Sequence, residues 1–442
     1  MSIIQPRTLK GFRDILPGQM TAREHVVDVA RKVYRSFGYT AIDTPALEYS
    51  EILVGKGGDE SDRQMYRFED NGGRDVALRF DLTVPLARFA AQHVGKLGTP
   101  FKRYHVGPVW RGENTQRGRY REFVQFDFDT IGTESLVADV ETLVVVHELF
   151  ATLDISEFAV HFNNRHLLNG LLEKLDLADQ AAEVLRSLDK LPKIGPGRVQ
   201  TELVEMAGAT SAQADAILQL AEIEGSNDEI LSALPEVVGD SPTALVGLNA
   251  IETVLAGARA SGVPERRIRL DVSIARGLAY YTGTVFETFL ADLPGIGSVC
   301  SGGRYDDLAS LYTKQRLPGI GGSLGVDRLL AAMEELGLVD ERAAMADLFI
   351  PLFVAAKTND YLLLANQLRT AGFSVELYPE PRKLGAQMKY ADRRGHRLAL
   401  IIGESEWATG TVQVKELDTG ESHEVAVAGL AALCRQLLET GG

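Results

Sequence analysis

Cysteine is scarce: Cys300 and Cys434 are the only two in 442 residues. Two thiols cannot build a disulfide framework, and their separation excludes a CxxC metal knuckle, which suits a reducing, cytoplasmic compartment. The chain has no apolar run of roughly 18 residues, and its start, MSIIQPRTLKGFRDILPG, lacks a continuous apolar stretch. Neither a membrane span nor a secretory leader is therefore expected. The eight histidines show no HExxH spacing, and His161 and His166 in HFNNRH read as ordinary polar residues, so no metal site is expected. Positive charge is short as well. Lys and Arg number 46 against 61 Asp and Glu, a net −15, which argues against a whole surface that grips nucleic acid. What remains is an ordinary globular composition, 45% hydrophobic and 24% charged, long enough for two or three domains.

Against that acidic background two stretches are basic. From Lys102 to Glu122 there are six Lys/Arg and two Asp/Glu, and from Arg382 to Arg397 six Lys/Arg and one Asp. The first leads into strict alternation: Arg121, Phe123, Gln125, Asp127 and Asp129 on one face, Tyr120, Glu122, Val124, Phe126 and Phe128 on the other. KRYHVGPVWR before it alternates in phase, so the two runs predict an antiparallel hairpin with a long polar loop. Its polar face reads either as a solvated surface with Arg–Asp pairs or as the floor of a site for an anionic ligand. The second stretch reads either as a solvated helix face, with Lys389 and Arg393 four apart, or as a phosphate and base contact.

Elsewhere, residues 19–37 predict an amphipathic helix ending at Gly38, and YTAIDTPALEY a strand interrupted by Pro45. DVALRFDLTVPLARFAAQH passes from a strand to a helix after Pro85. From about 167 to 261 Ala, Leu and Glu dominate and strand signals vanish, which predicts a helical insertion. After DERAAMA a new unit begins: strand 348–354, helix 359–370, strand 374–378, helix 383–394, strand 398–402, a hairpin turning at DTG and a last helix. That alternation predicts a small α/β domain with a mixed sheet. In GIGGSLGVDRLLAAMEELG a Gly-rich strand leads into a helix with Asp327 as expected N-cap and Arg328 in the first turn, where the macrodipole attracts anions. The glycines do not make a dinucleotide fingerprint, since no buried parallel strand precedes them, and GKGGDE at Gly55 lacks the GK[ST] ending of a P-loop.

Several of these stretches together resemble a known family. GPVWRGENTQRGRYREFVQFDFDTIG is similar to motif 2 of the class II aminoacyl-tRNA synthetases, GGSLGVDRLL to motif 3, and GYTAIDTPALE to the motif 1 region. ARGLAYYTGTVFE and CSGGRYDDL resemble the two signatures of the histidyl-tRNA synthetases, and KLGAQMKYADRRGHRLALIIGESE their anticodon-binding domain. The resemblance implies an α+β fold: an antiparallel-sheet catalytic domain over 1–340 with a helical insertion at 167–261, and a C-terminal α/β anticodon-binding domain over 347–442. It implies ATP-dependent ligation of L-histidine to histidine tRNA through histidyl-adenylate, with Mg²⁺ carried on ATP, in a cytoplasmic homodimer away from membranes.

By the same resemblance Arg111, Arg276 and Gln125 are catalytic. Arg111, Glu113, Phe123 and Arg328 bind ATP. Asp81, Leu82, Thr83, Gln125, Asp129, Tyr280 and Tyr281 bind histidine. Arg117, Arg119, Lys389, Arg393 and Arg394 meet tRNA. Two positions depart from the pattern: Asn114-Thr115 stands where Arg-Pro is common, and Ala279 where Asp is. The alternative is the synthetase-like, histidine-sensing regulatory subunit of ATP phosphoribosyltransferase, which lacks the C-terminal domain.

Overall fold

A computed structural model describes residues 3–55, 59–274, 280–339 and 346–440. The chain forms two compact units, one of residues 1–13 with 25–338 and the other of 14–24 with 339–442. No helix among the described residues is long and apolar enough to cross a membrane.

The first unit is built on an eight-stranded sheet. Its strands are β1 (Thr40–Ala41), β5 (Phe101–Trp110), β6 (Glu122–Ile131), β7 (Phe158–Asn164), β8 (Ile268–Leu270), β9 (Thr284–Leu290), β10 (Cys300–Tyr305) and β11 (Gly319–Gly325). They run in the order β1-β5-β6-β11-β10-β9-β7-β8. Only the β1–β5 and β7–β8 pairs are parallel. A separate three-stranded sheet has the order β2-β4-β3, from Leu47–Tyr49, Arg67–Glu69 and Asp75–Leu78 as β2, β3 and β4. Pro45 thus divides YTAIDTPALEY between two sheets, because proline cannot donate to a ladder.

The even face of β6 is an aromatic core. Tyr34 of the Pro17–Ser36 helix sits 4.9 Å from Phe126 and 4.8 Å from Phe128, ring centre to ring centre, and Tyr39 closes on Phe128 at 5.6 Å. The odd face is polar and equally buried: Asp127 and Asp129 are at most 2% exposed. The solvated-surface reading of this face is therefore wrong; the alternation separates two covered faces. β6 starts at Glu122, two residues later than the alternation suggested, because Gln116 and Arg119 close the preceding loop with a bridge of their own.

Between β7 and β8 the chain is helical from Arg165 to Ala260, apart from short connections. Its first and last helices, Arg165–Lys174 and Pro242–Ala260, pack at backbone distance. A Cβ on Gly170 would stand 2.5 Å from the Ala244 nitrogen, and one on Gly247 2.8 Å from the Leu167 nitrogen. Only residues without a side chain allow that approach.

The second unit carries a five-stranded mixed sheet in the order β13-β12-β14-β15-β16. The strands are β12 (Leu348–Ile350), β13 (Val375–Leu377), β14 (Leu398–Ile401), β15 (Thr411–Glu416) and β16 (Ser422–Ala426). β12 is shorter than the apolar run suggested, since Pro351 removes a donor. Leu348, Ile350, Leu398, Leu400, Val412 and Val414 form the main core with Tyr361 and Leu364, and Phe349, Ala391 and Ala399 pack separately.

Candidate active site

Three strands supply the floor of the site through their register. Arg103, His105 and Gly107 of β5 stand opposite Asp129, Asp127 and Gln125 of β6, which in turn face Gly321, Ser323 and Gly325 of β11. Antiparallel partners share a face, so these residues form three rows across one surface. Arg103, fully buried, lies 2.6 Å from Asp129. Tyr305 at the end of β10 donates to the other oxygen of Asp129. Burial raises the Asp129 carboxyl, against the pull of Arg103 and the Tyr305 hydroxyl. Burial also pushes Asp127 up to about 7, with Arg103 opposing and the neighbouring Asp129 reinforcing the rise. Burial and the Arg103 and Arg79 charges drive His105 down to about 3, although its Nε2 is 2.9 Å from Asp43.

Glycine makes room for this layer. A Cβ on Gly321 would fall 2.1 Å from Asp129 Oδ1 and 2.4 Å from the Phe128 carbonyl, and one on Gly302 2.1 Å from the Gly321 carbonyl. The glycines of GIGGSLG and CSGGRY therefore serve close sheet packing around buried carboxylates.

Over the floor opens a cleft of about 180 Å³, lined among others by Asp81, Thr83, Arg111, Phe123, Gln125 and Arg328. At one end Asp81 Oδ1 accepts from the Val84 N–H at 3.0 Å, capping the Thr83–Leu97 helix, while Oδ2 accepts from the Tyr280 hydroxyl at 3.2 Å. That helix begins at Thr83, two residues before Pro85, which sits in the first turn where a missing donor costs nothing. Gln125 donates to Ser323 at 2.6 Å; its buried Oε1 has no protein partner among the described residues. Tyr281 packs 5.1 Å from Tyr280 and is held from behind by Arg165, which donates to its carbonyl at 2.8 Å.

At the other end three cations converge. Arg111 donates to the Phe80 carbonyl at 2.9 Å and lies over the Phe123 ring at 5.2 Å. Arg328 donates to the Ser298 carbonyl at 2.6 Å, and burial first, then Arg119 and Arg111, lower its pKa. Glu113 pairs with Arg119 at 3.2 Å. Such converging guanidinium groups suit a polyphosphate.

Several expectations require correction. Asp327 is not the N-cap. β11 runs straight into the Val326–Glu335 helix, Gly325 occupies the cap position, and Asp327 lies buried inside the first turn. Arg117 and Arg119, expected to meet tRNA, pair with Glu335 at 2.7 Å and with Glu113, and Arg119 also lines the cleft. Arg121 turns from the cleft and donates to the Glu113 carbonyl at 3.2 Å. Leu82 and Asp129 are buried and do not line the cleft; Leu82 offers its carbonyl to Arg103 at 3.4 Å. Arg276 and Ala279 lie outside the described residues. Tyr305 was missed, although it stands within the quoted signature CSGGRYDDL. In the second unit Lys389 and Arg393 are exposed on one face of the Leu384–Arg394 helix, and Arg394 lies 6.0 Å from the Tyr390 ring.

Comparison with known proteins agrees with this architecture. Residues 11–329 match the model of the family described as histidyl-tRNA synthetase, and residues 350–437 that of an anticodon binding domain. The histidine–tRNA ligase of Rhodopirellula baltica is 60% identical over 424 residues, 96% of each chain. The histidine–tRNA ligase of Wolinella succinogenes is 44% identical, covering 95% of this chain and 96% of that protein. The crystal structure of histidyl-tRNA synthetase from Nostoc sp. PCC 7120 superposes with a TM-score of 0.88 at 36% identity, covering 98% of this chain and all of the other.

Proposed function

The chain belongs to the histidyl-tRNA synthetase family, and from that premise we propose how its cleft performs the reaction. The enzyme ligates L-histidine to histidine tRNA at the expense of ATP. In the first step the histidine carboxylate attacks the α-phosphorus of ATP: a new oxygen–phosphorus bond forms, the bond to the β-phosphate oxygen breaks, and pyrophosphate leaves. In the second, a terminal ribose hydroxyl of the tRNA takes the acyl group and AMP departs. The attacking carboxylate is ionised at neutral pH, so the first step needs no general base. Catalysis is positioning and charge stabilisation, with Mg²⁺ arriving on ATP as part of that substrate.

The reading is carried by one observation: the buried Gln125 Oε1, without a partner among the described residues, in a cleft with Asp81 at one end and guanidinium groups at the other. An unsatisfied buried acceptor is costly, and the α-ammonium of histidine would satisfy it. Asp81 and Thr83 complete the ammonium site in this reading. Tyr280 and Tyr281 face the imidazole, and Asp129, bonded to Tyr305 in the floor beneath them, sets the polarity of that end. Arg111 takes the α-phosphate, with Arg276 opposite. Phe123 stacks on adenine, Glu113 meets its edge, and Arg328 holds the γ-phosphate. The Lys389, Arg393 and Arg394 face is the proposed anticodon-side contact. A homodimer is supported by the apolar face of the small sheet, where Leu47, Tyr49 and Phe68 are exposed around Val76. The cytoplasm is the compartment of its tRNA.

Histidine-dependent exchange of pyrophosphate into ATP, without tRNA, is the test. The native protein should catalyse it with Mg²⁺ present, and Gln125→Ala should raise the KM for histidine well above that for ATP. Neutralising Lys389, Arg393 and Arg394 together should leave exchange intact while lowering tRNA charging and its salt dependence. Absence of exchange with histidine binding intact would instead favour a histidine sensor.

A further inference from the structure

The first residues of the chain reach the ATP end of the cleft, and no part of the reaction described so far uses them. Arg13 donates to Asp327 Oδ1, and Asp327 Oδ2 accepts from the Val124 N–H at 2.6 Å. The Arg13 guanidinium also stacks on the Tyr120 ring, 3.7 Å from its centre. Two residues earlier the Gly11 carbonyl accepts from the Arg121 N–H at 2.9 Å. Gly11 has φ +86°, and a Cβ there would stand 2.7 Å from Arg121 Cγ and 2.9 Å from Thr115. Phe12 meets Tyr66 edge to face at 6.1 Å. The segment thus touches the hairpin loop, the start of β6 and the first turn of the Val326–Glu335 helix.

These three elements carry the groups assigned to ATP. Val124 follows Phe123, Asp327 precedes Arg328, and Arg121 is tied to the Glu113 carbonyl. Some two hundred residues of chain separate Phe123 from Arg328, and Asp327 is the bridge between them. Its carboxylate is 2% exposed. A charge buried that deeply needs a partner, and losing one half of such a pair leaves the other uncompensated. Without Arg13, the Asp327 carboxylate would lose a charged partner, and its hold on the Val124 N–H would loosen.

The geometry points to Lys10–Arg13 as a strap that positions the ATP subsite: Arg13 acts through Asp327 to hold Phe123 and Arg328 in register across the cleft. Arg13 is a positioning residue, because it reaches the nucleotide only through its partners. The inference rests on the ATP assignment above. A small displacement suffices for a large effect, since misplacing a reacting group by about 1 Å can cost about 10²-fold.

The test is pyrophosphate exchange with the full chain, measuring the KM for ATP and for histidine separately. Arg13→Met keeps the aliphatic stem over Tyr120 and removes the charge. It should raise the KM for ATP by about tenfold or more while the KM for histidine moves less than about twofold, the pattern of lost binding at one subsite. Arg13→Lys should recover part of the difference. Gly11→Ala, which leaves Arg13 and Asp327 in place but drives a methyl group into Arg121, should produce the same split and serves if Arg13→Met is poorly folded. Equal changes in both KM values, or a lowered melting temperature with unchanged kinetics, would overturn the strap. Arg328→Ala separates the two claims. If it raises the KM for ATP while Arg13→Met and Gly11→Ala do not, the strap alone fails; if Arg328→Ala leaves that KM unchanged, the ATP assignment fails with it.

Discussion

The two larger of the three described sheets bury side chains of opposite chemistry. The strands of the second unit, LFI, LALI and the Val412–Val414 pair, fill their surroundings mostly with apolar side chains, with Gln387 and His396 the polar groups buried beside them. The floor formed by β5, β6 and β11 buries Arg103, His105, Asp127 and Asp129 and makes space for them with glycine. In the second unit stability and packing are the same quantity. In the first, each buried polar group must find a partner, and a place where none is found among the described residues, such as Gln125 Oε1, is where a ligand fits. One sheet is shaped by what it excludes, the other by what it is prepared to receive.

Three changes sharpen that contrast. The largest effect is expected from Gly321→Ala. A single methyl would overlap Asp129 and the Phe128 carbonyl, neither of which can retreat from a packed sheet. Histidine-dependent exchange should fall by about 10²-fold or more, with the loss seen mainly in histidine affinity if circular dichroism shows the fold retained. Activity within a factor of a few of native would mean the floor is looser than its distances imply.

Next comes Leu400→Ala in β14. A cavity in an aliphatic core costs about 2–5 kcal/mol. That should appear as a lowered melting transition and weaker tRNA charging. Exchange should persist, because the adenylate site lies in the other unit. A parallel loss of exchange would show that the two units do not act separately.

The smallest effect is expected from Asp127→Asn, read as pH dependence. A carboxyl whose pKa is about 7 in the folded protein and 3.8 in its ordinary state binds its proton more tightly when folded. Stability is then highest below about pH 3.8 as far as this group is concerned, and declines as pH rises through about 7. Asn carries no such charge. The variant should lose less stability than the native protein between pH 5 and 8, measured by denaturant midpoints. An identical decline in both would place the pH dependence elsewhere.

Much of this arrangement could be read from residue order, and the failures share a cause. Alternation from Tyr120 to Asp129 identified two unlike faces, but period-2 patterning cannot say whether a polar face is wet, because cover comes from strands that join it from about 200 residues away. The same distance hid the pairing of Arg117 with Glu335, which lies on a helix that no local pattern connects to the loop. Asp327 has the residue type of a cap, yet a strand that flows into a helix needs none, and the carboxylate went to Arg13 instead. Tyr305 was within reach, since a tyrosine ending a strand whose glycines admit close packing would be held against whatever those glycines accommodate. Arg111, Phe123, Gln125 and Arg328 all line one cleft.

The close seam between the Arg165–Lys174 and Pro242–Ala260 helices bears on how this protein could be altered. Lys174 Nζ lies 3.1 Å from where a side chain on Gly239 would begin, so the chain departs and returns at neighbouring points. The segment between hangs from that doorway with buried Asn227 as a second tie, bonded to Ile268 and Leu270 of β8. Exchanging it for a longer or shorter helical module changes the closure entropy only with the logarithm of its length. The doorway itself must keep its glycines.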